Sequence, residues 1–141
     1  MIKVGKEYHW EMSHRLSFHK GLCWNIHGHS YKMILELEGE LDENGMLLDF
    51  YEIDKIVLPL IKEYDHSLIV ETNDTKIIEF LKENNFRHKT INYTSTSENL
   101  AINFCEQLKP EFSKYKNIKI IRVRVYETFD AYAEVTAKCN E

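Results

Sequence analysis

An α+β domain is the fold class this sequence predicts, an antiparallel sheet with helices on one face. Three observations predict it. Residues alternate between apolar and polar at both ends of the chain, helix-period stripes fill its middle, and the elements run strand, strand, helix, helix, strand, strand. That order departs from the strand–helix alternation of a parallel α/β sheet. It gives four strands and two main helices (ββααββ) in a single domain spanning residues 1–141.

The first strand is read over residues 2–14, where Ile2, Val4, Tyr8, Trp10 and Met12 share one parity and Lys3, Glu7, His9 and Glu11 the other. A second alternation sets Tyr31, Met33, Leu35 and Leu37 against Lys32, Glu36, Glu38 and Glu40. Asp42-Glu43-Asn44-Gly45 has turn chemistry and leads into the short run Met46-Leu47-Leu48. Asp49 followed three residues later by Glu52 fits a capping box, and Ile53, Ile56, Val57, Leu60, Ile61 and Tyr64 then recur at helical spacing. Pro59 inside that stripe predicts a kink or bend. A shorter helical segment covers 74–84, and a third helix runs from about Ser97 to Leu108 with Leu100, Ala101, Phe104, Cys105 and Leu108 on one stripe. Two strands, near 118–127 and 131–138, close the chain. The connection over 70–94 has no function legible in its residues.

Composition narrows the function classes. With 43% apolar and 29% charged residues, the chain has the balance of an ordinary globular domain, and its length is sufficient to bury a core without disulfides. Three cysteines (Cys23, Cys105, Cys139) cannot all pair internally and none forms a CxxC, so a reducing, cytoplasmic setting is expected. No apolar run approaches the ~20 residues of a membrane span, and the N-terminus lacks a signal-peptide core. A net charge of −5 without any cluster of lysine or arginine argues against nucleic acid as a partner.

Chemistry concentrates at His14 and His27-Gly28-His29. Residues two apart in a strand share a face, so His27 and His29 point the same way, with the parity of Tyr31, Met33 and Leu35. His14 has the parity of Trp10 and Met12. Three imidazoles on the buried side of adjacent strands, with a fourth position open, form the pattern of a catalytic zinc; the bland alternative is three satisfied core or surface histidines. Cys23 lies four residues before His27, where a nearby cation would favour its thiolate; Cys105 and Cys139 read as inert. Asp65-His66 is a candidate proton-transfer pair or simply a polar helix end. Glu127 continues the parity of Ile121, Val123 and Val125, and a carboxylate on a buried face needs a partner such as an arginine or a ligand with several N–H donors, unless the strand has already ended. His9, His19 and His88 are read as surface residues.

Together these blocks resemble the pyruvoyl-tetrahydropterin synthase and carboxy-tetrahydropterin synthase family. The resemblance spans residues 8–128 and rests on His14, Cys23-x3-His27-Gly28-His29, Gly45-Met46-Leu47-Leu48-Asp49-Phe50, Asp65-His66, Ser95-Thr96-Ser97-Glu98-Asn99 and Glu127-Thr128. It implies zinc bound by His14, His27 and His29, with Cys23 as catalytic base and Asp65 and His66 as a proton relay. Glu127 would anchor the pterin ring, and Thr96, Ser97 and Glu98 would line its pocket. The implied fold is the tunnelling fold, assembling through barrels into a homohexamer, a dimer of trimers with active sites between subunits. The implied substrate is dihydroneopterin triphosphate. The Cys-x3-His-Gly-His spacing looks more like the bacterial carboxy-tetrahydropterin synthases of queuosine biosynthesis than like the pyruvoyl-forming animal enzymes. A pterin-binding protein with a structural metal, and a metal-free assembly protein, are the readings from other classes.

Overall fold

The computed structural model describes residues 1–141. Two long strands, β1 (Ile2–His14) and β2 (His27–Gly39), pair antiparallel along their whole length, from Ile2 opposite Gly39 to His14 opposite His27. A loop carrying one 3-10 turn, Leu22–Trp24, joins them. Next come α1 (Phe50–Tyr64), β3 (Ser67–Glu71), α2 (Thr75–Glu83), β4 (His88–Ile91), α3 (Ser97–Phe112), β5 (Ile118–Thr128) and β6 (Ala131–Lys138).

The α+β class, the four long strands and the three helices stand where the periodicity puts them. The strand count does not: the sheet has six strands, in the order β4-β3-β1-β2-β5-β6. β3 pairs parallel with β1, and β4 pairs parallel with β3, so the sheet is mixed rather than antiparallel. The two extra strands are five and four residues long. Their sequences, SLIVE and HKTI, are too short to show an alternation, and parallel strands covered on both sides need not alternate. The 70–94 connection is thereby largely explained: β3, α2 and β4 form a β–α–β crossover that extends the sheet beyond β1.

One face of the sheet is apolar because the alternation of all four long strands is in phase. Tyr8, Trp10 and Met12 of β1, Tyr31, Met33, Leu35 and Leu37 of β2, and Ile118, Ile121, Val123 and Val125 of β5 are all buried. Burial of Met33, Leu35 and Leu37 stabilises by about 1.5–3 kcal/mol each. Against this face α1 packs Ile53, Val57, Leu60, Ile61 and Tyr64, and α3 packs Leu100, Ala101, Phe104, Cys105, Leu108 and Phe112. These residues, with Leu47, Ile69 and Ile91, form one core cluster of 25. α2, the helix of the crossover, buries only Leu81.

Asp49 caps α1 by accepting from the Tyr51 N–H at 2.9 Å, but Glu52 turns to Lys55 at 2.9 Å instead of closing the expected capping box. Helix α1 continues through Pro59 to Tyr64. Pro59 and Lys55, whose carbonyl loses its helical donor, both lie on the exposed face. α3 likewise passes Leu108 and carries the exposed Pro110 on to Phe112. No helix is long and apolar enough to cross a membrane.

Candidate metal centre and proton-transfer site

The ends of β1 and β2 nearest the connecting loop build the site. Cross-strand pairing sets His14 directly opposite His27, and His29, two residues on, lies opposite Met12. The three rings converge, with centroids 4.7, 5.4 and 4.9 Å apart for the pairs His14–His27, His14–His29 and His27–His29. One nitrogen from each lies within 4.8 Å of the other two.

Hydrogen bonding fixes the orientation of two rings. His14 Nδ1 lies 2.9 Å from the Ser95 carbonyl and 3.0 Å from Ser95 Oγ, and His27 Nδ1 lies 2.7 Å from the Asn25 carbonyl. A carbonyl only accepts, so each neutral ring carries its proton on Nδ1 and presents the Nε2 lone pair inward. The Nε2 atoms of His14, His27 and His29 are all buried and without a hydrogen-bond partner. Three orphaned, inward-facing Nε2 lone pairs, two of them held by second-layer carbonyls, are the donor set of a four-coordinate zinc with one position open. The residues fit such an ion.

Glu127 faces the same point. Its Oε1 lies 3.2 Å from His14 Nε2 and 3.5 Å from His29 Nε2, close contacts that lack hydrogen-bond alignment. The pairing of β5 with β6 shifts register between Tyr126 and Thr128, so Glu127 occupies a bulge. Bulges re-aim side chains beside functional sites. Burial lowers the pKa of His29. Tyr31, fully buried, packs edge-on to His29 at 5.5 Å and to His14 at 6.2 Å, and burial raises its phenol pKa.

Asp65 and His66 meet in space as well as in sequence: His66 Nδ1 lies 2.9 Å from Asp65 Oδ1. Asp65 ends α1, and His66 follows in the left-handed region, φ 57°. Both are tied to β1, since the His66 N–H donates to the Glu11 carbonyl at 2.6 Å and the Glu11 N–H donates to Asp65 Oδ1 at 3.0 Å. That backbone N–H is the main reason the Asp65 carboxyl sits below its ordinary pKa. His66 opens onto a cavity of about 390 Å³ that His29, Glu11, Ser30 and Ser67 also line. A second cavity, of about 440 Å³, lies on the other side of His29 and Ser30 and is lined by Glu127, Lys32, His9, Tyr126, Thr128 and Phe129. Substrate-sized space thus borders His29 in both cavities, and Lys32 supplies positive charge in the second.

The remaining candidates lie farther out. Cys23 sits in the 3-10 turn of the β1–β2 loop, partly buried, and its carbonyl accepts from the Leu16 N–H at 2.8 Å. It is not among the atoms of the histidine cluster. Thr96 caps α3, accepting from the Asn99 N–H at 3.2 Å, and Ser97 donates to Glu98 at 2.8 Å. Thr96, Ser97 and Glu98 line neither cavity beside the histidines. The member of that segment that reaches the site is Ser95, 1% exposed, through His14. Sequence reasoning missed Ser95 and Tyr31. The parity of Tyr31 with His27 and His29 is a signal that could have found the second; nothing local points to the first.

Comparison with known proteins agrees with the fold. A family model described as 6-pyruvoyl tetrahydropterin synthase matches residues 3–138. The 6-carboxy-5,6,7,8-tetrahydropterin synthase of Haemophilus influenzae is 31% identical over 95% of this chain and 98% of its own, and that of Rickettsia typhi is 29% identical over 96% and 100%. Among solved structures, a Plasmodium vivax 6-pyruvoyltetrahydropterin synthase with a catalytic residue substituted superposes with a TM-score of 0.78 at 20% identity, covering 97% of this chain and 98% of that one. The Caenorhabditis elegans 6-pyruvoyl tetrahydropterin synthase gives a TM-score of 0.70 at 25% identity, covering 96% and 95%.

Proposed function

The chain belongs to the 6-pyruvoyl tetrahydropterin synthase family, and on that premise we propose that it is a zinc-dependent lyase converting 7,8-dihydroneopterin triphosphate and water to 6-carboxy-5,6,7,8-tetrahydropterin, with loss of triphosphate and acetaldehyde. The observation that carries the reading is the convergence of three unpartnered Nε2 atoms beside a bulged carboxylate and an Asp–His pair. The named carboxy-tetrahydropterin synthases, which align with nearly the whole chain, favour this product over the pyruvoyl one. A reaction of this kind belongs to queuosine biosynthesis in the cytoplasm, and the working unit is a homohexamer.

Zinc held by His14, His27 and His29 would supply Lewis acidity toward the oxygens of the substrate side chain. Glu127 binds the planar N–H donors of the pterin ring, which satisfies a carboxylate that the bulge has turned into a half-buried position. Cys23, as thiolate, removes a proton from the side chain. His66 returns one, oriented by the 2.9 Å contact of its Nδ1 with Asp65. Thr96, Ser97 and Glu98 complete the pterin pocket in the assembled enzyme, since in the single chain they do not border the histidine cavities.

Metal analysis of the purified protein, followed by incubation with dihydroneopterin triphosphate, tests the proposal. About one zinc per chain, and acetaldehyde released in step with triphosphate, are expected. Triphosphate without acetaldehyde, together with a pyruvoyl product, would reassign the chain to the pyruvoyl-forming reaction. A protein free of metal that binds pterin without turnover would remove the enzyme reading altogether. Replacing Cys23 by alanine should abolish turnover and leave zinc content unchanged.

A further inference from the structure

The β–α–β crossover meets the β1–β2 loop through an ion pair. Arg15, immediately after His14, donates from Nη1 to Asp74 Oδ2 at 2.7 Å and from Nε to the Trp24 carbonyl at 2.9 Å. Its guanidinium lies over the Trp24 ring, 4.8 Å from the centroid. Arg15–Asp74 is the most buried ion pair formed by any arginine or lysine here, with side chains 16% and 13% exposed. Trp24 is the residue after Cys23, and the Leu16 N–H closes the same loop on the Cys23 carbonyl.

Asp74 occupies the N-cap of α2, where an aspartate ordinarily accepts from the first turn of its own helix. Here it makes no such bond. Leaving a cap unmade costs helix stability. The carboxylate is instead committed to Arg15, in a planar, bidentate-capable guanidinium geometry that a flexible lysine would not reproduce. Ser17 adds a second tie from the loop to the crossover, donating to Glu71 at 3.4 Å.

We propose that Asp74 and Arg15 are positioning residues for Cys23. The crossover is a brace: Asp74 holds Arg15, Arg15 holds Trp24 by its carbonyl and its ring, and Trp24 fixes the 3-10 turn that presents the Cys23 thiol. The brace starts from the residue next to His14 and ends at the residue next to Cys23, so it sets the thiol against the histidine cluster through two short covalent links. The inference rests on the assignment of Cys23 as the catalytic base. A loop carrying Leu22 at 86% and Trp24 at 52% exposure has little apolar burial of its own to order it, which leaves the polar clamp to do so.

The test compares Asp74→Ala, Arg15→Ala, the double variant and Asp74→Glu, all as full-length, zinc-loaded protein. Asp74→Asn, which keeps the shape and loses the charge, replaces Asp74→Ala if the latter does not fold. Turnover of dihydroneopterin triphosphate is measured beside the iodoacetamide alkylation rate of Cys23, resolved from Cys105 and Cys139 by peptide mass spectrometry. The expected result is a fall in kcat of about 10- to 100-fold with KM changed less than about 2-fold, as for a misplaced reacting group. Zinc content stays unchanged and Cys23 is alkylated severalfold faster. The double variant should be no worse than either single one, and Asp74→Glu should recover most of kcat. Wild-type kcat and wild-type Cys23 alkylation in Asp74→Ala or Asp74→Asn would overturn the proposal, as would losses that multiply in the double variant. Failure of the underlying assignment reads differently: full turnover in Cys23→Ala would remove Cys23 as base, while the alkylation rates would still report whether the clamp orders the loop.

Discussion

His66 holds a backbone conformation, φ 57°, that an L-residue adopts at a cost of about 1–2 kcal/mol. A glycine commonly takes this position after a helix end. The histidine is kept there by its N–H bond to the Glu11 carbonyl, and the conformation turns the ring back onto Asp65. Strain at a side chain that is 74% exposed and contributes no core packing is explained if the imidazole works. Asparagine tolerates the left-handed region but cannot shuttle a proton at neutral pH, so His66→Asn separates the two roles. The melting temperature should shift by no more than about 2–4 °C. Steady-state kinetics should show kcat reduced by about 100-fold or more. A variant that melts normally and turns over normally would remove His66 from the relay. That the three histidines share one face was legible from strand parity, because a two-residue period fixes which side chains point the same way; the metal reading needed the family resemblance to prevail over three ordinary histidines. Ser95 was not legible, because its contact with His14 joins residues 81 apart along the chain and no periodicity relates a strand end to the residue before a helix cap.

At the level of elements, the long strands and amphipathic helices could be read because each shows several periods of its pattern. β3 and β4 could not, since five and four residues show too few repeats to separate a strand from a loop. Glu127 shows both limits in one residue: its parity with Val125 was legible, whereas the bulge that holds it beside the histidines comes from the pairing of β5 with β6. The attachment of α1 to β1 makes an element-scale prediction. Asp54 of α1 accepts from Lys6 Nζ and, at 2.7 Å, from the Tyr8 hydroxyl, both on β1. The bond from Lys6, then that from Tyr8, lowers the Asp54 pKa below its ordinary value of 3.8. A depressed folded-state pKa gives stability that is fully present above the unfolded value of about 3.9 and is lost as pH falls through the folded one. Asp54→Asn should therefore lower the melting temperature at pH 6–7 and flatten its decline between about pH 4 and pH 2. Parallel melting curves for the two proteins across that range would show that the tie contributes nothing.

For the whole molecule, the single chain leaves structural business unfinished. Both ends of the sheet are open, at the four-residue β4 and the eight-residue β6, and an uncovered edge is a template for pairing with another chain. Large apolar side chains crowd the neighbourhood of the site: Leu22 is 86% exposed, Phe129 92%, Phe18 58% and Trp24 52%. Phe129 also walls the cavity that holds Glu127 and Lys32. Closed rings remove edges, and a ring that covers these side chains would complete the cavities with residues from a neighbour. Sedimentation should accordingly give a species of six times the 16.8 kDa chain mass. Specific activity should fall on dilution together with the loss of that species, since in the proposed hexamer a neighbour completes each site. Phe129→Asp isolates the cause. At 92% exposure the side chain supports nothing within its own subunit, so the folded chain should melt within about 0.5 kcal/mol of the wild type while the assembled species weakens. A wild-type chain that is monomeric and fully active would show that the two cavities beside His29 are already complete.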